Sequence, residues 1–410
     1  MELLAPAGNL EKLKTAAMFG ADAVYCGAGP FSLRAEEASF TLDQLKSGIE
    51  FAHSHECRVY LAMNIIPFDE DFDEMASYLE QAMEIGIDAI IVSDPGMILH
   101  AKRHYPGLKI HLSTQANTTN SESVRFWKEQ GVDRIVLARE LSLAQIGAIK
   151  KTNPDMELEV FIHGAMCVAY SGRCLLSKVL NDRSANRGSC TQPCRWEYRI
   201  REISRTEELT INEDGRGTFI LNSRDLCMIE HIPLLARAGV DSLKIEGRMK
   251  TAYYVAAVTR IYRAALDRYY RSVKEGTPYV YDQLWLEELE KVSHRPYTTG
   301  FYLPEIKDET EFIADAAYIR GYDFVGKVDE CSADGLELKV MVRNRFDMGD
   351  NLEILDPKHQ NVIRFKVGRI TDCETGKTLD AAHNSYYVCI ASSGARPVTI
   401  SRGAILRRKQ

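Results

Sequence analysis

Short apolar runs rich in β-branched residues alternate with amphipathic helical stretches through the first half of the chain. The predicted strands are ELLAPA, AVYCGA, RVYLAMN, AIIVSD, KIHLST, RIVLAR and LEVFIHG, and they recur every 20 to 35 residues. Several intervening helical patterns, such as DEMASYLEQAMEIG, end in glycine, which is favoured just after helix C-termini. Parallel strands need crossover helices of this kind, so the repeat predicts a parallel sheet. Seven or more such units favour a closed, TIM-like βα barrel.

Two further strand patterns follow a cysteine-rich insertion at about residues 163–218. They are FILNSRDL and SLKIEGRMK, and a long helical pattern, TAYYVAAVTRIYRAALDRYYRSV, comes next. Nine strands are therefore predicted for the eight positions of a barrel, and the sequence does not say which one is surplus. The insertion follows the seventh strand, so we expect it at the C-terminal rim, where βα barrels carry their catalytic residues.

The composition shifts to Pro, Tyr, Thr and Gly between residues 277 and 308, which is typical of a linker. Beyond it, short alternating runs separated by turn signals predict a small antiparallel β-barrel of about ninety residues. We therefore predict a barrel with its insertion (1–274), a linker (275–315) and a small β-barrel (316–410). The basic tail of the small barrel could grip RNA through Arg407 and Arg408.

The overall composition is that of a soluble globular protein. The 410 residues are 45% hydrophobic and 27% charged, and no apolar run is long enough to predict a membrane span. The N-terminus lacks the pattern of a secretory signal, so the ten cysteines indicate a reduced cytoplasm rather than a disulfide framework. Because the net charge is −7, any nucleic-acid-binding surface must be local.

Four cysteines follow the spacing C-x6-C-x15-C-x3-C. They are Cys167, Cys174, Cys190 and Cys194. Thiolates suit zinc or iron–sulfur clusters, but only the last pair has the short spacing of a zinc knuckle. The wider spacing of the first pair favours a bulkier centre such as a 4Fe–4S cluster. Unligated thiols, a redox disulfide pair and a cysteine nucleophile near His163 remain alternatives.

The surroundings of these cysteines are basic. Residues 173–205 contain eight Lys or Arg and three acids, a local charge of +5 in a chain of net −7. Such a field would offset the charge of a cluster and attract a phosphate-rich partner or an anionic small molecule. A solvated arginine-rich loop is the plainer alternative. The RNA-binding candidates of this segment are Arg173, Arg183, Arg187, Arg195 and Trp196, the last of which could stack on a base.

Polar residues follow several predicted strands, where the site of a βα barrel forms. Around the predicted rim they include Asn64, Ser113, Thr114, Gln115, Asn117, Arg139 and Glu140. The candidate catalytic residues are His163, after the seventh strand, and Lys244, Glu246 and Arg248, in SLKIEGR. Arg248 with Lys244 is the preferred pair for holding a carboxylate, because a guanidinium can grip it through two hydrogen bonds.

The segments ELEVFIHGAMCVAYSGRCLLS, NRGSCTQPCRW, LNSRDL and SLKIEGRMK resemble the collagenase-like peptidase family U32, as do ELLAPAG and GADAVYCG. The resemblance covers most of residues 1–270. Within this family the cysteine pattern is most similar to that of the prephenate-dependent tRNA uridine hydroxylases. It implies a 4Fe–4S cluster bound by Cys167, Cys174, Cys190 and Cys194, with Cys227 as a substitute ligand.

The same resemblance implies a reaction. A cytoplasmic enzyme would hydroxylate C5 of the wobble uridine of tRNA, with prephenate as hydroxyl donor and without molecular oxygen. A paralogous partner protein could be required, since some members of the family work as pairs.

The older label of the family implies proteolysis instead. A peptidase needs an activated nucleophile or a metal-bound water, and the sequence contains neither G-x-S-x-G nor H-E-x-x-H. An RNA hydroxylase needs a cofactor site, an anion pocket and a basic surface, for which the sequence offers candidates. We therefore favour the hydroxylase over a collagenase-like peptidase. A third alternative is a non-catalytic RNA-binding or scaffold protein with structural zinc.

Overall fold

The computed structural model describes residues 1–27, 29–32, 40–167, 169–193, 213–214, 217–218, 224–303, 319–359, 361–393 and 399–410. The chain divides into two compact units. The first unit contains residues 1–17, 21–250 and 295–318, and the second contains residues 18–20, 251–294 and 319–410. Among the described helices, none is both long and apolar enough to cross a membrane.

A closed parallel barrel forms the centre of the first unit. Its strands, together with four short strands outside the ring, are β1 (Glu2–Ala7), β2 (Ala23–Gly27), β3 (Arg58–Met63), β4 (Ala89–Val92), β5 (Lys109–Leu112), β6 (Arg134–Val136), β7 (Glu157–Ala165), β8 (Glu213–Asp214), β9 (Gly217–Thr218), β10 (Asp225–Cys227), β11 (Ser242–Ile245) and β12 (Tyr297–Thr298); the four outside the ring are β8, β9, β10 and β12. Strands β1 to β7 pair in order, and β11 pairs in parallel with both β7 and β1. This eight-stranded ring confirms the predicted TIM-like barrel.

The surplus strand is the one predicted just after the insertion. Strand β10 pairs antiparallel with β7, with Cys227 opposite His163, and lies outside the closed ring. Strand β12 adds to its other side in parallel. Buried Arg295 donates from Nε to Asp225 Oδ1 at 2.9 Å, which ties the two added strands together.

The helices of the first unit follow the predicted alternation. They are α1 (Leu10–Met18), α2 (Leu42–His53), α3 (Asp69–Ile85), α4 (Pro95–His104), α5 (Ser121–Glu129), α6 (Leu143–Thr152), α7 (Leu176–Asn181) and α8 (Ile232–Arg237). Polar caps begin several of them, because Thr41, Asn120 and Ser142 accept a backbone hydrogen bond from the residue three positions on. Gly86 ends α3 with φ 97°, a left-handed conformation that favours glycine.

A closed antiparallel barrel dominates the second unit. This unit contains α9 (Ala252–Glu275), α10 (Gln283–Leu289), β13 (Tyr322–Cys331), β14 (Glu337–Val342), β15 (Phe346–Asp347), β16 (Asn351–Leu355), β17 (Ile363–Asp372), β18 (Thr378–Leu379), β19 (Ala381–Ala382), β20 (Tyr387–Ser392) and β21 (Ile405–Lys409). Six strands close in the order β16, β21, β13, β14, β20 and β17, and β17 pairs back with β16. Inward residues such as Val340, Ile354 and Leu406 form its apolar core, which confirms the predicted small β-barrel. The predicted linker at 275–315 contains α10 and β12.

Candidate active site

A cavity of about 110 Å³ lies at the C-terminal ends of the strands of the parallel barrel. Its walls come from the ends of β3, β5, β6, β7 and β11 and from the described part of the insertion. Six of the predicted site residues line it, namely Cys167, Cys174, Cys190, Lys244, Glu246 and Arg248. The fold therefore brings together residues from two distant segments of the sequence on the face where βα barrels carry out chemistry.

Three short elements of the chain bring the cysteines to this cavity. Strand β7 ends at Ala165, so Cys167 falls just beyond the barrel rim. Cys174 precedes α7, and its backbone N–H donates to Asn186 Oδ1 at 3.2 Å. Cys190 follows a single helical turn at Ala185–Arg187. The predicted fourth ligand, Cys194, lies outside the described residues.

The described cysteines supply the type of donor that an iron–sulfur cluster requires. Within the described ranges, no three His, Cys, Asp or Glu side chains are grouped closely enough to hold one ion. In a cluster, each thiolate binds its own iron atom, so the sulfur ligands lie further apart than the ligands of one ion. Three thiols that line one cavity suit this donor set. Arg139 places a positive charge beside this site, with Nη1 3.9 Å from Cys167 Sγ.

Cys227, the predicted substitute ligand, has a different setting. It is buried in β10 and is not among the described residues that line the cavity. The structure therefore does not bring it together with the other three cysteines.

Lys244 lies at the inner end of the cavity and is held by a buried carboxylate. Its Nζ lies 2.7 Å from Glu159 Oε1, and neither side chain is more than 5% exposed. Arg134 reaches the other oxygen of Glu159 at 3.3 Å. Because a buried charge needs a counter-charge, Glu159 stabilises the ammonium group that faces the cavity.

The ion pairs continue through the barrel interior towards β1. Arg134 also donates to Glu2, which accepts a hydrogen bond from Tyr60 at 2.6 Å. Burial alone would raise the pKa of Glu2, but Arg134 and Tyr60 hold it below its ordinary value. Burial, followed by the charges of Arg134 and Lys244, lowers the pKa of His111 well below its ordinary value. His111 is therefore neutral at pH 7.

A close backbone contact fixes the position of Arg248. A Cβ atom at Gly8 would lie 2.0 Å from the Arg248 carbonyl oxygen, so only glycine allows the two segments to approach this closely. Lys12 Nζ donates to the same carbonyl at 3.1 Å. Arg248 is 5% exposed, and its guanidinium donates to Ser32 Oγ. The guanidinium is thus oriented at the cavity wall.

The His163 backbone lies beside another predicted catalytic residue, since its carbonyl accepts from the Glu246 N–H at 2.8 Å, but its side chain is enclosed within the sheet. Strand β7 continues to Ala165 and β10 covers its far end, so His163 lies inside the sheet rather than at the rim. It is 1% exposed, and its ring centroid lies 5.4 Å from that of Tyr297. It is not among the described residues that line the cavity.

The basic residues predicted to bind RNA differ in their surroundings. Arg173 donates from Nε to the Gln115 carbonyl at 2.8 Å, and Arg183 is exposed. Arg187 forms two hydrogen bonds with Asp71, at 2.7 and 2.8 Å, which neutralise much of its charge. Arg195 and Trp196 lie outside the described residues.

The prediction for the basic tail needs a correction. Arg407 is 0% exposed, and its guanidinium contacts Glu288 at 2.7 Å and Glu353 at 2.6 Å. It stabilises the second unit and cannot present its charge to RNA. Arg408 is 27% exposed and pairs with Asp350 at 2.7 Å. Both tail arginines therefore have acidic partners that are distant in the sequence.

Sequence reasoning missed Glu159 and left Arg139 out of the catalytic set. Arg139 contacts Glu246 Oε2 at 3.4 Å and stacks on the Phe161 ring at 3.9 Å, so it positions Glu246 on the cavity wall. For Glu159, the sequence did contain a signal: it is a glutamate within the apolar strand LEVFIHG, and a charge buried in such a strand requires a partner.

The model of peptidase family U32 matches residues 8–311, and the model of the U32 C-terminal domain matches residues 320–407. The chain belongs to peptidase family U32. Among U32 relatives, it is 40% identical over 383 residues to tRNA hydroxylation protein P1 of Bacillus subtilis, covering 93% of this chain and 89% of the relative. It is 38% identical to tRNA hydroxylation protein P of Escherichia coli, over 87% of this chain and 86% of the relative. A protein named collagenase from Porphyromonas gingivalis is 34% identical to this chain, over 87% of this chain and 86% of the relative.

Proposed function

We propose that this U32 protein is a cytoplasmic tRNA-modifying enzyme that hydroxylates C5 of the wobble uridine. Prephenate would donate the hydroxyl group, and a 4Fe–4S cluster would be bound at the cavity. The observation that supports this most is the meeting of three motif cysteines with Lys244 and Arg248 on one cavity. The names of the B. subtilis and E. coli relatives favour RNA hydroxylation. A paralogous partner protein remains a prediction.

The cavity offers separate groups for the cofactor and for an anion. Cys167, Cys174 and Cys190, together with Cys194, would hold the cluster, which when bound supplies redox or Lewis-acid chemistry. Lys244 and Arg248 bind the carboxylates of prephenate, because one is an ammonium held by Glu159 and the other is a guanidinium oriented by Ser32. Glu246, positioned by Arg139, is the carboxylate on the wall that can accept a proton from a bound ligand.

The RNA-binding part of the proposal rests on the described insertion. Arg173 is exposed and contacts Gln115 of the cavity lining, and Arg183 is exposed within the insertion, so both can contact phosphates without specifying sequence. Arg187 contributes less to this field, since Asp71 is its partner.

The test is an anaerobic reaction with tRNA that lacks the modification. The purified chain is incubated with this tRNA and prephenate, and the digested nucleosides are analysed by mass spectrometry for 5-hydroxyuridine. We expect product with the wild type, and an increase of at least tenfold in the KM for prephenate with Arg248→Met. Lys46→Met, at an exposed position of α2, is the matched control. No product from a cluster-loaded enzyme would refute the proposal.

The collagenase name of one relative supports the alternative of a peptidase. A cysteine peptidase pairs its thiol with a histidine, and no histidine is among the described residues that line the cavity. We therefore do not favour proteolysis. Cleavage of denatured collagen by the purified chain, abolished by Cys174→Ala, would reverse this preference.

A further inference from the structure

Gln115 lines the cavity, and its side-chain amide oxygen has no hydrogen-bond partner among the described residues. It lies on a single helical turn, Thr114–Ala116, directly after β5. The residue is 6% exposed, and its Oε1 atom is buried. Buried amide oxygens are rarely left unpaired in proteins, because the loss of hydration is then not compensated. A bound ligand that carries a donor group would supply the missing hydrogen bond.

The backbone around Gln115 is fixed independently of its side chain. Its N–H donates to Ser113 Oγ at 3.4 Å, and its carbonyl accepts from Arg173 Nε at 2.8 Å. Thr114 Oγ1 donates to the Leu137 carbonyl at 3.0 Å, which anchors the turn to the chain just after β6. The turn therefore holds the residue in place, while its amide oxygen has no hydrogen-bond partner in the part of the chain that the structure describes.

We propose that Gln115 recognises the target base by pairing with the N3–H and O4 edge of uracil. This inference rests on the proposed function and names the residue that selects its substrate. A glutamine amide presents an acceptor and a donor side by side, and uracil presents a donor and an acceptor in the complementary arrangement. The amide is neutral, so it suits a neutral base better than the carboxylates of prephenate.

The position of Gln115 in the barrel supports the same assignment. In the closed ring, β5 is separated from β11 by β6 and β7. The cationic pair Lys244 and Arg248 belongs to β11 and the loop after it, whereas Gln115 follows β5. The anion and the base thus have separate walls of one cavity, with Cys167, two residues after the end of β7, between them in the order of the ring.

The experiment combines a change in the protein with a change in the RNA. An anticodon stem-loop is prepared with uridine or with N3-methyluridine at the target position, and each is tested with the wild type and with Gln115→Met. We expect Gln115→Met to lower kcat/KM for the uridine RNA by about tenfold to a hundredfold. The KM for prephenate should stay unchanged. The N3-methyl group should weaken stem-loop binding by the wild type and have little further effect on the variant.

Two controls separate recognition from folding. Gln130→Met changes an exposed glutamine at the end of α5 and should leave both kinetic constants as in the wild type. The thermal midpoint of Gln115→Met should equal or exceed that of the wild type, because the lost amide oxygen has no hydrogen-bond partner in the described part of the free protein. A lower midpoint would indicate a structural role and would contradict the inference.

The result also distinguishes this inference from the proposed function. If the wild type makes product and Gln115→Met is equally active, the function stands and the role of Gln115 is wrong. If Gln115→Met raises only the KM for prephenate, Gln115 serves the co-substrate and the inference is again wrong. If the wild type makes no product, the binding comparison decides. Equal affinity of the wild type for the uridine and N3-methyluridine stem-loops would overturn the inference in that case.

Discussion

Neutralising Glu159 should destabilise the barrel and impair the cavity at the same time. Its carboxylate is 0% exposed and contacts two cations, Lys244 at 2.7 Å and Arg134 at 3.3 Å. Removing one partner of a buried ion pair costs about 3–5 kcal/mol, because a buried charge is left uncompensated. Glu159→Gln keeps the shape of the side chain and one acceptor oxygen, so we expect a loss of stability at the lower end of this range, about 3 kcal/mol. Lys244 would also lose the carboxylate that holds its Nζ in position, so the KM for prephenate should rise.

The measurement is urea unfolding followed by circular dichroism, with the free energy of unfolding extrapolated to water. The matched control is Glu157→Gln, on the same strand, which removes a contact of a 51% exposed carboxylate with Arg134. Exposed pairs contribute about 0–1 kcal/mol, so the control should lose far less stability. Adding Lys244→Met to the Glu159→Gln variant should lower the free energy of unfolding less than Lys244→Met does in the wild type, because Lys244 has already lost its carboxylate partner in that variant. Equal losses for Glu159→Gln and Glu157→Gln would refute this reasoning.

Three further predictions follow from other contacts. The pKa of His111 is lowered in the folded state, so only the unfolded chain binds a proton at this position just below pH 6.5. The free energy of unfolding should therefore fall as the pH decreases, by up to about 1.4 kcal/mol per pH unit. Urea unfolding at several pH values should show this slope in the wild type and a smaller one in His111→Leu. Gly8→Ala forces the Arg248 backbone to move and should raise the KM for prephenate about tenfold without loss of iron. Arg407→Met removes a fully buried cation from Glu288 and Glu353, which keep Lys291 as a partner, and should lower the stability of the second unit by about 3 kcal/mol, the lower end of the cost of breaking a buried ion pair.

Matched variants define the outcomes that would contradict these predictions. Gly107→Ala places its Cβ in open space and should leave the KM for prephenate unchanged. If Gly8→Ala and Gly107→Ala change this KM by the same amount, the close approach of Gly8 to Arg248 does not position the arginine. Arg402 is 81% exposed, and Arg402→Met should change stability by less than about 0.5 kcal/mol. A similar small loss for Arg407→Met would show that its burial contributes little. If the free energy of unfolding of His111→Leu depends on pH as steeply as that of the wild type, groups other than His111 take up the proton on unfolding.

The periodic part of the fold could be predicted from the sequence because local patterns encode it. Seven strands with buried β-branched residues and glycine-terminated helices define a βα barrel before any contact is known. The surplus strand could not be identified in this way. Strand β10 has only three residues, and its antiparallel pairing with β7 depends on tertiary contacts such as that of Asp225 with Arg295.

The candidate site was predictable in kind but not in its supporting contacts. Motif spacing and strand ends led to the cysteines, Lys244 and Arg248, which share the cavity. His163 was placed at the rim because the strand was read as ending there, whereas β7 runs two residues further. The tail arginines appeared exposed because no acid lies nearby in the sequence, and the acidic partners of Arg407 come from α10 and β16.

The central claim is that the thiols at the cavity hold an iron–sulfur cluster, and iron and sulfide analysis tests it most directly. The chain is purified without oxygen, and its iron, acid-labile sulfide and zinc are measured together with its Mössbauer spectrum. We predict about four iron and about four sulfide per chain for the wild type, and a large loss of both in Cys174→Ser. Cys57→Ser, a buried cysteine away from the cavity, should keep the wild-type content. A colourless wild type that contains zinc or no metal, or a Cys174→Ser variant with full iron content, would contradict the claim.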